Sequence, residues 1–285
     1  MSTYLITRTP AKAAALTCAI AEKDATARFL YAPVLEAVGS APDDWEEVAF
    51  ALIRGEFSWV TFTSVNGVLG LEALAQGLGQ SLVELLGAAQ IAAVGQATEA
   101  ALMERGLMVD FVPSNQSAAG MVEEWLIDEE WDDPMSETIL AVQGTTASST
   151  LEEGLTDYGY TVATLPVYDM VPYPAENPLS THLPADPKTS TGPKISTAAN
   201  TSTASTLTLG EAVTALASTD VLIATSPLLL RTLAEDAERP LPPTVVIGAS
   251  TEAAARSLPE AQRPATISLA ASPAPADLAA AALAL

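Results

Sequence analysis

Short hydrophobic runs, rich in valine, isoleucine and aromatic residues, alternate along the chain with longer segments in which alanine and leucine recur at helical spacing. The runs are typical of buried strands, and the longer segments of amphipathic helices. Strands are predicted at residues 4–10, 57–64, 89–95, 108–113, 138–144, 160–171, 220–227, 244–248 and 265–270, with an extended segment at 27–38. Helices are predicted at residues 11–24, 67–78, 96–107, 117–131, 146–159, 228–236 and 251–258, and after the last strand.

Strands and helices that alternate with short connections indicate βα units around a mainly parallel sheet. The alternation stops at residues 174–207, which are rich in threonine, serine, proline and alanine and contain few large apolar side chains. This composition predicts a flexible insertion rather than a packed element.

The alternating pattern contains an internal repeat. VGQATEAA at residues 94–101 is similar to IGASTEAA at 247–254, and WVTFTSVNGVLGLEAL before the first copy is similar to VLIATSPLLLRTLAED before the second. In both copies a strand ends in Thr-Ser, a helix follows, and the next strand ends in Gly-x-x-Thr. We therefore expect two similar α/β domains, each a mainly parallel sheet flanked by helices.

The chain is strongly acidic, with a formal net charge of −23 at pH 7. This charge argues against nucleic acid or an anionic membrane surface as the main partner. Residues 38–171 contain 22 acidic side chains and only two cations, Arg54 and Arg105. Cationic contacts to an anionic ligand are therefore expected almost entirely outside this segment.

Cysteine content and hydropathy restrict the class of protein further. Cys18 is the only cysteine, which excludes an intrachain disulfide, and we expect it to be a small buried hydrophobe on the first helix. The first residues lack the pattern of a secretory signal, and no apolar run reaches the length of a membrane-spanning helix. A cytoplasmic protein is expected.

Hydroxyl and glycine residues recur where predicted strands end and helices begin. In a parallel sheet, ligands collect outside the carboxyl ends of the strands, where free N–H groups and the helix dipole favour an anion. Serine and threonine also cap helices, so capping alone explains each position taken singly. Two matched sets in two domains favour a cleft that holds one ligand from both sides. The positions are Thr63, Ser64, Gly95, Thr98, Thr225, Ser226, Gly248 and Thr251.

The usual catalytic constellations are missing from the sequence. The only histidine, His182, lies in the predicted insertion, which argues against Ser–His–Asp or Cys–His catalysis. No glycine-rich nucleotide-binding motif follows a strand, and the acidic cluster at 128–133 is interpreted as a solvated helix end rather than a metal site. An enzyme of this composition would act mainly by positioning a reactive substrate.

Six segments carry a resemblance to a known family. In chain order they are YLITRTP, FTSVNGV, AVGQATEAALMERGLMVDFVPSNQSAAGMVEEW, ILAVQGTTASSTLEEGLTDYGYTVATLPVYDMV, IATSP and VVIGASTEAAA. Together they resemble the uroporphyrinogen-III synthase family from residue 4 to about 278, apart from the predicted insertion. Gln143 stands where the family often has arginine, and Ala224 replaces the phenylalanine of the second FTS block.

The resemblance implies a domain organisation and a reaction. Residues 1–37 and 208–285 would form one α/β domain, residues 38–171 the second, and residues 172–207 a linker with the insertion, so that two crossing segments join the domains. The family closes the linear tetrapyrrole hydroxymethylbilane to uroporphyrinogen III, losing water and inverting the last ring, without a metal or organic cofactor. Because the substrate carries eight carboxylates, the acidic side chains of 38–171 are expected to point outward. We expect a monomer with no nucleic-acid or membrane partner.

The resemblance also implies site residues. Tyr168 matches a family tyrosine near the crossing segments, and its phenol either donates a hydrogen bond to the departing hydroxyl or only shapes the pocket. Arg8, Ser117 and Gly144 join the hydroxyl and glycine positions above as substrate contacts. The alternatives are a non-catalytic two-domain module that closes on an anionic metabolite, and a degenerate homologue that serves as a regulator.

Overall fold

The computed structural model describes residues 1–125, 137–179 and 206–285, which form two compact units. Of these residues, the first unit contains 1–36, 172–174 and 206–285, and the second contains 37–125, 137–171 and 175–179. The acidic cluster at 128–133, His182 and most of the predicted insertion lie outside the described residues.

Strands and helices alternate along both units. The strands are β1 (Thr3–Ile6), β2 (Arg28–Tyr31), β3 (Leu35–Gly39), β4 (Trp59–Phe62), β5 (Gln90–Ala93), β6 (Thr138–Gly144), β7 (Thr161–Pro172), β8 (Val221–Ala224), β9 (Thr244–Val246) and β10 (Ile267–Leu269). The helices are α1 (Pro10–Ala21), α2 (Trp45–Ile53), α3 (Val65–Gly77), α4 (Leu82–Leu86), α5 (Gln96–Met103), α6 (Ala118–Trp125), α7 (Thr150–Asp157), α8 (Leu209–Ala215), α9 (Pro227–Glu235), α10 (Ala249–Ser257) and α11 (Pro275–Leu283).

The first unit is built on a five-stranded sheet in the order β10-β9-β8-β1-β2, and all of its strand pairs are parallel. Side chains alternate between its two faces. Tyr4 and Ile6 of β1 pack with α1 and α11, whereas Leu5 packs on the other face with α8, α9 and α10. Helices on both faces explain why the strands are apolar throughout.

The second unit has a five-stranded sheet in the order β3-β7-β6-β4-β5, in which β5, β4, β6 and β7 are parallel to one another. Val60 and Phe62 of β4 pack with α2, α3, α4 and α5. Trp59 packs on the opposite face against Trp125 of α6, with ring centroids 4.7 Å apart. The predicted fold class, two α/β units with mainly parallel sheets, is therefore confirmed.

Helix α3 approaches β7 closely at a glycine. A Cβ atom at Gly70 would lie 2.5 Å from the carbonyl oxygen of Val167 and 2.8 Å from its Cγ2. Real Cβ atoms do not approach a backbone oxygen so closely, so only glycine fits here. The close packing brings the start of α3 to the carboxyl ends of β6 and β7.

Two expectations from the sequence were wrong. Residues 108–113 do not form a strand, and Phe111 makes only an isolated bridge to Ala92. The Asp110 carboxylate accepts the Ile91 N–H at 2.8 Å, so a side chain takes the place of the backbone carbonyl that would accept this N–H in a β-ladder. Cys18 is exposed rather than buried, because α1 turns Ala13, Leu16, Thr17 and Ile20 towards the core.

Three helices were missed by the sequence reasoning, although two of them carry a readable signal. Both α4 and α8 begin with a capping box, in which Ser81 or Thr208 exchanges hydrogen bonds with a glutamate three residues later. The third, α2, has Glu46 and Glu47 in its first turn, as the helix dipole favours.

Among the described residues, no helix is long and apolar enough to cross a membrane.

We predict that Gly70→Ala lowers the free energy of unfolding by about 1–3 kcal/mol, because the new methyl group must push α3 away from β7. Gly77→Ala is the matched control, since it lies in the same helix with no atom within 4 Å of its Cβ position. It should be neutral or stabilise by up to about 1 kcal/mol. Urea denaturation of both variants tests this, and equal effects would contradict the close approach of α3.

Candidate functional site

The carboxyl edge of the first sheet brings together three of the predicted turns. Thr7 and Arg8 follow β1, Thr225 and Ser226 follow β8, and Gly248 follows β9 by two residues. Because β1, β8 and β9 are neighbours in the sheet, these turns lie side by side at one edge. This edge is where open parallel sheets collect their ligands.

Thr7 and Thr225 bind each other across this edge. The Thr225 N–H donates to the Thr7 hydroxyl at 3.0 Å, and the Thr225 hydroxyl donates to the Thr7 carbonyl at 3.2 Å. The two hydroxyl oxygens are themselves 3.0 Å apart. The single hydroxyl proton of Thr225 therefore stays within the protein, and Thr225 holds the turn together rather than donating to a ligand. Sequence reasoning missed Thr7, whose only signal is a polar residue at the end of an apolar run.

Arg8 is a half-buried cation beside this threonine pair. Among the residues that the structure describes, its guanidinium has no ion pair and no hydrogen bond. Burial lowers the pKa of Arg8 below its ordinary value, because removing the guanidinium from water disfavours its charged form. A partly desolvated charge without a counter-ion is destabilising by itself and favours binding of an anion.

The start of α10 is open. Gly248 is its N-cap with no side-chain hydrogen bond, and no atom lies within 4 Å of a Cβ built on it. One turn into the helix, Thr251 is fully buried and its hydroxyl has no hydrogen-bond partner. Free N–H groups and open space above a glycine are the features of an anion site at a helix start, whereas the Thr251 hydroxyl is buried beneath that start.

The carboxyl edge of the second sheet brings Ser64, Gly144 and Tyr168 together. Ser64 caps α3, and its hydroxyl accepts the Gly67 N–H at 3.2 Å. The same hydroxyl donates to the phenol oxygen of Tyr168 at 3.1 Å. Among the described residues, the Tyr168 proton has no acceptor of its own. The phenol is thus a fixed hydrogen-bond donor at the edge of the sheet.

Gly144 and Thr145 at the end of β6 position the ring of Tyr168. A Cβ at Gly144 would lie 2.8 Å from two ring carbons, so the glycine leaves room for the ring rather than for a ligand. The Thr145 N–H donates to the Tyr168 carbonyl at 2.9 Å, and the Thr145 hydroxyl donates to Asp169 at 2.6 Å. A register shift between Gln143 and Gly144 places these groups opposite each other.

The start of α5, the counterpart of α10 in the repeat, is occupied. Gly95 is its N-cap, but the side-chain oxygen of Gln116 accepts the Gln96 N–H at 3.4 Å and would lie 2.9 Å from a Cβ at Gly95. Thr98 is buried in the first turn, as Thr251 is in the other copy. Thr63 makes only long contacts of 3.5 Å, from its N–H and its hydroxyl to the Val142 carbonyl.

The loop that carries Gln116 is anchored by Glu124 of α6. The Glu124 carboxylate accepts the Ser114 N–H at 2.7 Å, the Ser114 hydroxyl at 2.8 Å and the Asn115 N–H at 2.9 Å. These bonds, first of all those from the two backbone N–H groups, lower the pKa of Glu124. Ser117, a predicted substrate contact, instead caps α6 by accepting the Gly120 N–H at 3.0 Å.

Both cations in the described part of the second unit are bound to glutamates. Arg54 pairs with Glu56 at the surface. Arg105 pairs with Glu72 at 2.9 Å, and only 8% of its side chain is exposed. An anion at this unit therefore meets backbone N–H groups and hydroxyls rather than free cationic side chains. The described part of the chain also contains no cluster of acidic, histidine or cysteine side chains suited to a metal ion.

Comparison with known proteins gives a consistent result. The family model described as Uroporphyrinogen-III synthase HemD matches residues 16–262. A mutant uroporphyrinogen III synthase from the extremely thermophilic bacterium Thermus thermophilus is similar in structure, with 18% identity, coverage of 94% of this chain and 92% of that chain, and a TM-score of 0.57. The uroporphyrinogen-III synthetase from Helicobacter pylori 26695 has 16% identity, coverage of 100% and 99%, and a TM-score of 0.53. At these identities the likeness shows a shared fold. No curated protein matches the chain significantly.

We predict that Glu124→Gln weakens the protein at neutral pH but not in acid. Because the pKa of Glu124 is lowered in the folded protein, its contribution is complete above the ordinary glutamate pKa and is lost as the pH falls through the lowered value. Urea midpoints of wild type and variant should converge on acidification. Glu123→Gln is the matched control, since Glu123 is exposed on the same helix. A loss that is independent of pH would mean that the shape of the side chain, not its charge, anchors the loop.

Proposed function

The chain belongs to the uroporphyrinogen-III synthase family and is therefore an enzyme of tetrapyrrole biosynthesis. We propose that it closes hydroxymethylbilane to uroporphyrinogen III with the residues described above. We propose a cofactor-independent lyase that acts in the cytoplasm as a monomer, in which Tyr168 starts the reaction. The observation that carries this assignment is the Tyr168 phenol, fixed by Ser64 and with its own proton unclaimed among the described residues.

Tyr168 donates its proton to the hydroxyl group that leaves. The carbon–oxygen bond of the hydroxymethyl group breaks with its electron pair on oxygen, which takes the phenolic proton and departs as water. The lone pair of the adjacent pyrrole nitrogen stabilises the carbon that remains. When the last ring closes the macrocycle, the ring system releases a proton, which restores the phenol.

The remaining contribution of the protein is to position a chain that is already reactive. In the first unit, Arg8 and the open start of α10 bind carboxylates of the substrate; the arginine supplies charge, and the free N–H groups beside Gly248 supply directed donors. An unpaired cation next to free N–H groups is a favourable environment for a carboxylate.

In the second unit, hydrogen bonds without a net positive charge bind the substrate. Arg54 and Arg105 are both paired, so the start of α5 near Gly95 and Thr98 acts through its N–H groups. For a carboxylate to take that place, the Gln116 side chain must move away from the Gln96 N–H. We assign the stronger, salt-sensitive contacts to the first unit for this reason.

A second candidate is a non-catalytic module that binds an anionic metabolite, which the unpaired Arg8 and the open α10 start equally favour. The two functions differ in what they require of Tyr168. A binding module needs no proton donor, whereas the synthase loses its first step without one.

The test is a coupled assay with freshly generated hydroxymethylbilane that separates the III isomer from the I isomer, which forms spontaneously. Wild type should produce the III isomer, and Tyr168→Phe should lower kcat by about 100-fold with little change in KM. Tyr158→Phe is the matched control, because Tyr158 is exposed at the end of α7. If wild type leaves the isomer ratio unchanged at high concentration, the synthase assignment is wrong; if wild type forms the III isomer and Tyr168→Phe is fully active, another group supplies the proton.

We predict that Arg8→Gln raises KM about tenfold, as expected for the loss of one charge-assisted hydrogen bond, and flattens the dependence of KM on salt. Initial rates at low and high ionic strength measure both effects. Arg28→Gln is the matched control, since Arg28 is exposed at the opposite, amino end of the neighbouring strand β2. Wild-type kinetics of Arg8→Gln at every salt concentration would assign carboxylate binding to backbone N–H groups alone.

A further inference from the structure

The only proton of the Ser64 hydroxyl is donated within the protein, which changes the role expected for this residue. A serine hydroxyl has one proton, and that of Ser64 is donated to the phenol oxygen of Tyr168. Its oxygen also accepts the Gly67 N–H. A substrate carboxylate would have to break the bond to Tyr168 to receive this proton.

We infer that Ser64 is a positioning residue that acts through Tyr168 rather than a substrate contact. The three groups form a directed chain, in which the Gly67 N–H donates to Ser64, Ser64 donates to Tyr168, and the Tyr168 proton is left to point outward. Each donor in such a chain strengthens the next, because accepting a hydrogen bond makes an O–H group a better donor. This inference rests on the proposed role of Tyr168 as the proton donor.

The start of α3 adds a second effect in the same direction. Ser64 is the N-cap, so the phenol oxygen lies one hydrogen bond from the positive end of a helix of 13 residues. As the phenol gives up its proton, negative charge develops on that oxygen. The helix dipole favours this negative charge, and the hydrogen bond from the Ser64 hydroxyl stabilises it directly.

The internal repeat supports a role that is special to one copy. Ser226 occupies the equivalent position at the start of α9, yet its side chain makes no capping hydrogen bond there. Pro227 follows it, so the first helical residue has no N–H to offer. Among the described residues, only Ser64 both caps its helix and donates to a tyrosine.

The packing of α3 explains how the distance is maintained. Gly70 allows the helix to contact the Val167 carbonyl, and Val167 is the residue before Tyr168. The helix start and the tyrosine are thus fixed to the same stretch of β7. Gly144 fixes the ring from the other side.

The experiment is a double-mutant cycle of Ser64→Ala and Tyr168→Phe, with kcat and KM measured for all four proteins. Ser64→Ala should lower kcat about tenfold in the Tyr168 background and leave KM within about twofold, as loss of one hydrogen bond to the donor predicts. In the Tyr168→Phe background it should have no further effect on kcat, because the group through which it acts is absent. An equal fall in both backgrounds, or no fall in either, would overturn the inference.

Three further variants separate positioning from capping. Ser81→Ala removes an equivalent N-cap bond of 3.2 Å from α4 in the same unit, so it should cost a similar stability, about 1 kcal/mol, with kcat unchanged. Ser64→Thr keeps the hydroxyl and should restore kcat. Ser64→Asp keeps the cap but can only accept, so it should lower kcat at saturating substrate without a loss of stability; full activity of this variant would overturn the inference.

The same measurements distinguish failure of the inference from failure of the proposed function. If wild type does not form the III isomer, the function is wrong whatever the cycle gives. If wild type forms it and Ser64→Ala acts independently of Tyr168, the function stands and the positioning role is wrong.

Discussion

The contact between α3 and β7 is the constraint on which the second unit's site depends. Gly70 lets the helix approach the Val167 carbonyl, closer than any other residue would allow. Because of this close approach, Ser64 at the start of α3 binds the phenol of Tyr168, the residue after Val167 on β7. The two residues are 104 positions apart in the sequence. A second glycine, Gly144, leaves the space that the aromatic ring fills. The absence of side chains at Gly70 and Gly144 thus determines where the Tyr168 phenol lies.

The two units handle negative charge differently, and the difference follows from how their arginines are paired. In the second unit, a largely buried Arg105 is neutralised by Glu72, which avoids the cost of an isolated buried charge. In the first unit, Arg8 is partly buried without such a partner among the described residues. The first arrangement favours a stable core, and the second leaves binding energy available to an anionic ligand. The acidic surplus of residues 38–171 is compatible with an anionic substrate only if directed N–H groups do the binding there.

The repeated segments have the same backbone plan but different local chemistry. Both copies begin a helix at a glycine and bury a threonine one turn later. At α10 the glycine is open and the threonine hydroxyl is unsatisfied, whereas at α5 the Gln116 amide covers the helix start. The repeat therefore accounts for the positions of the helix starts, and the residues of the neighbouring loops decide what each start can bind.

The sequence by itself determined the α/β class, the repeat and the turns at which functional residues lie. Strand and helix periodicity, and the glycine and hydroxyl residues that mark the turns, are local properties of the chain. It did not reveal which hydroxyls are free. In the two Thr-Ser blocks, the Thr225 hydroxyl donates its proton to Thr7, 218 residues away, and the Ser64 hydroxyl donates its proton to Tyr168. It also predicted a strand at 108–113, where the Asp110 side chain interrupts the ladder. Hydrogen-bond partners and the close approach of α3 are set by packing between distant segments, so only the tertiary structure decided them.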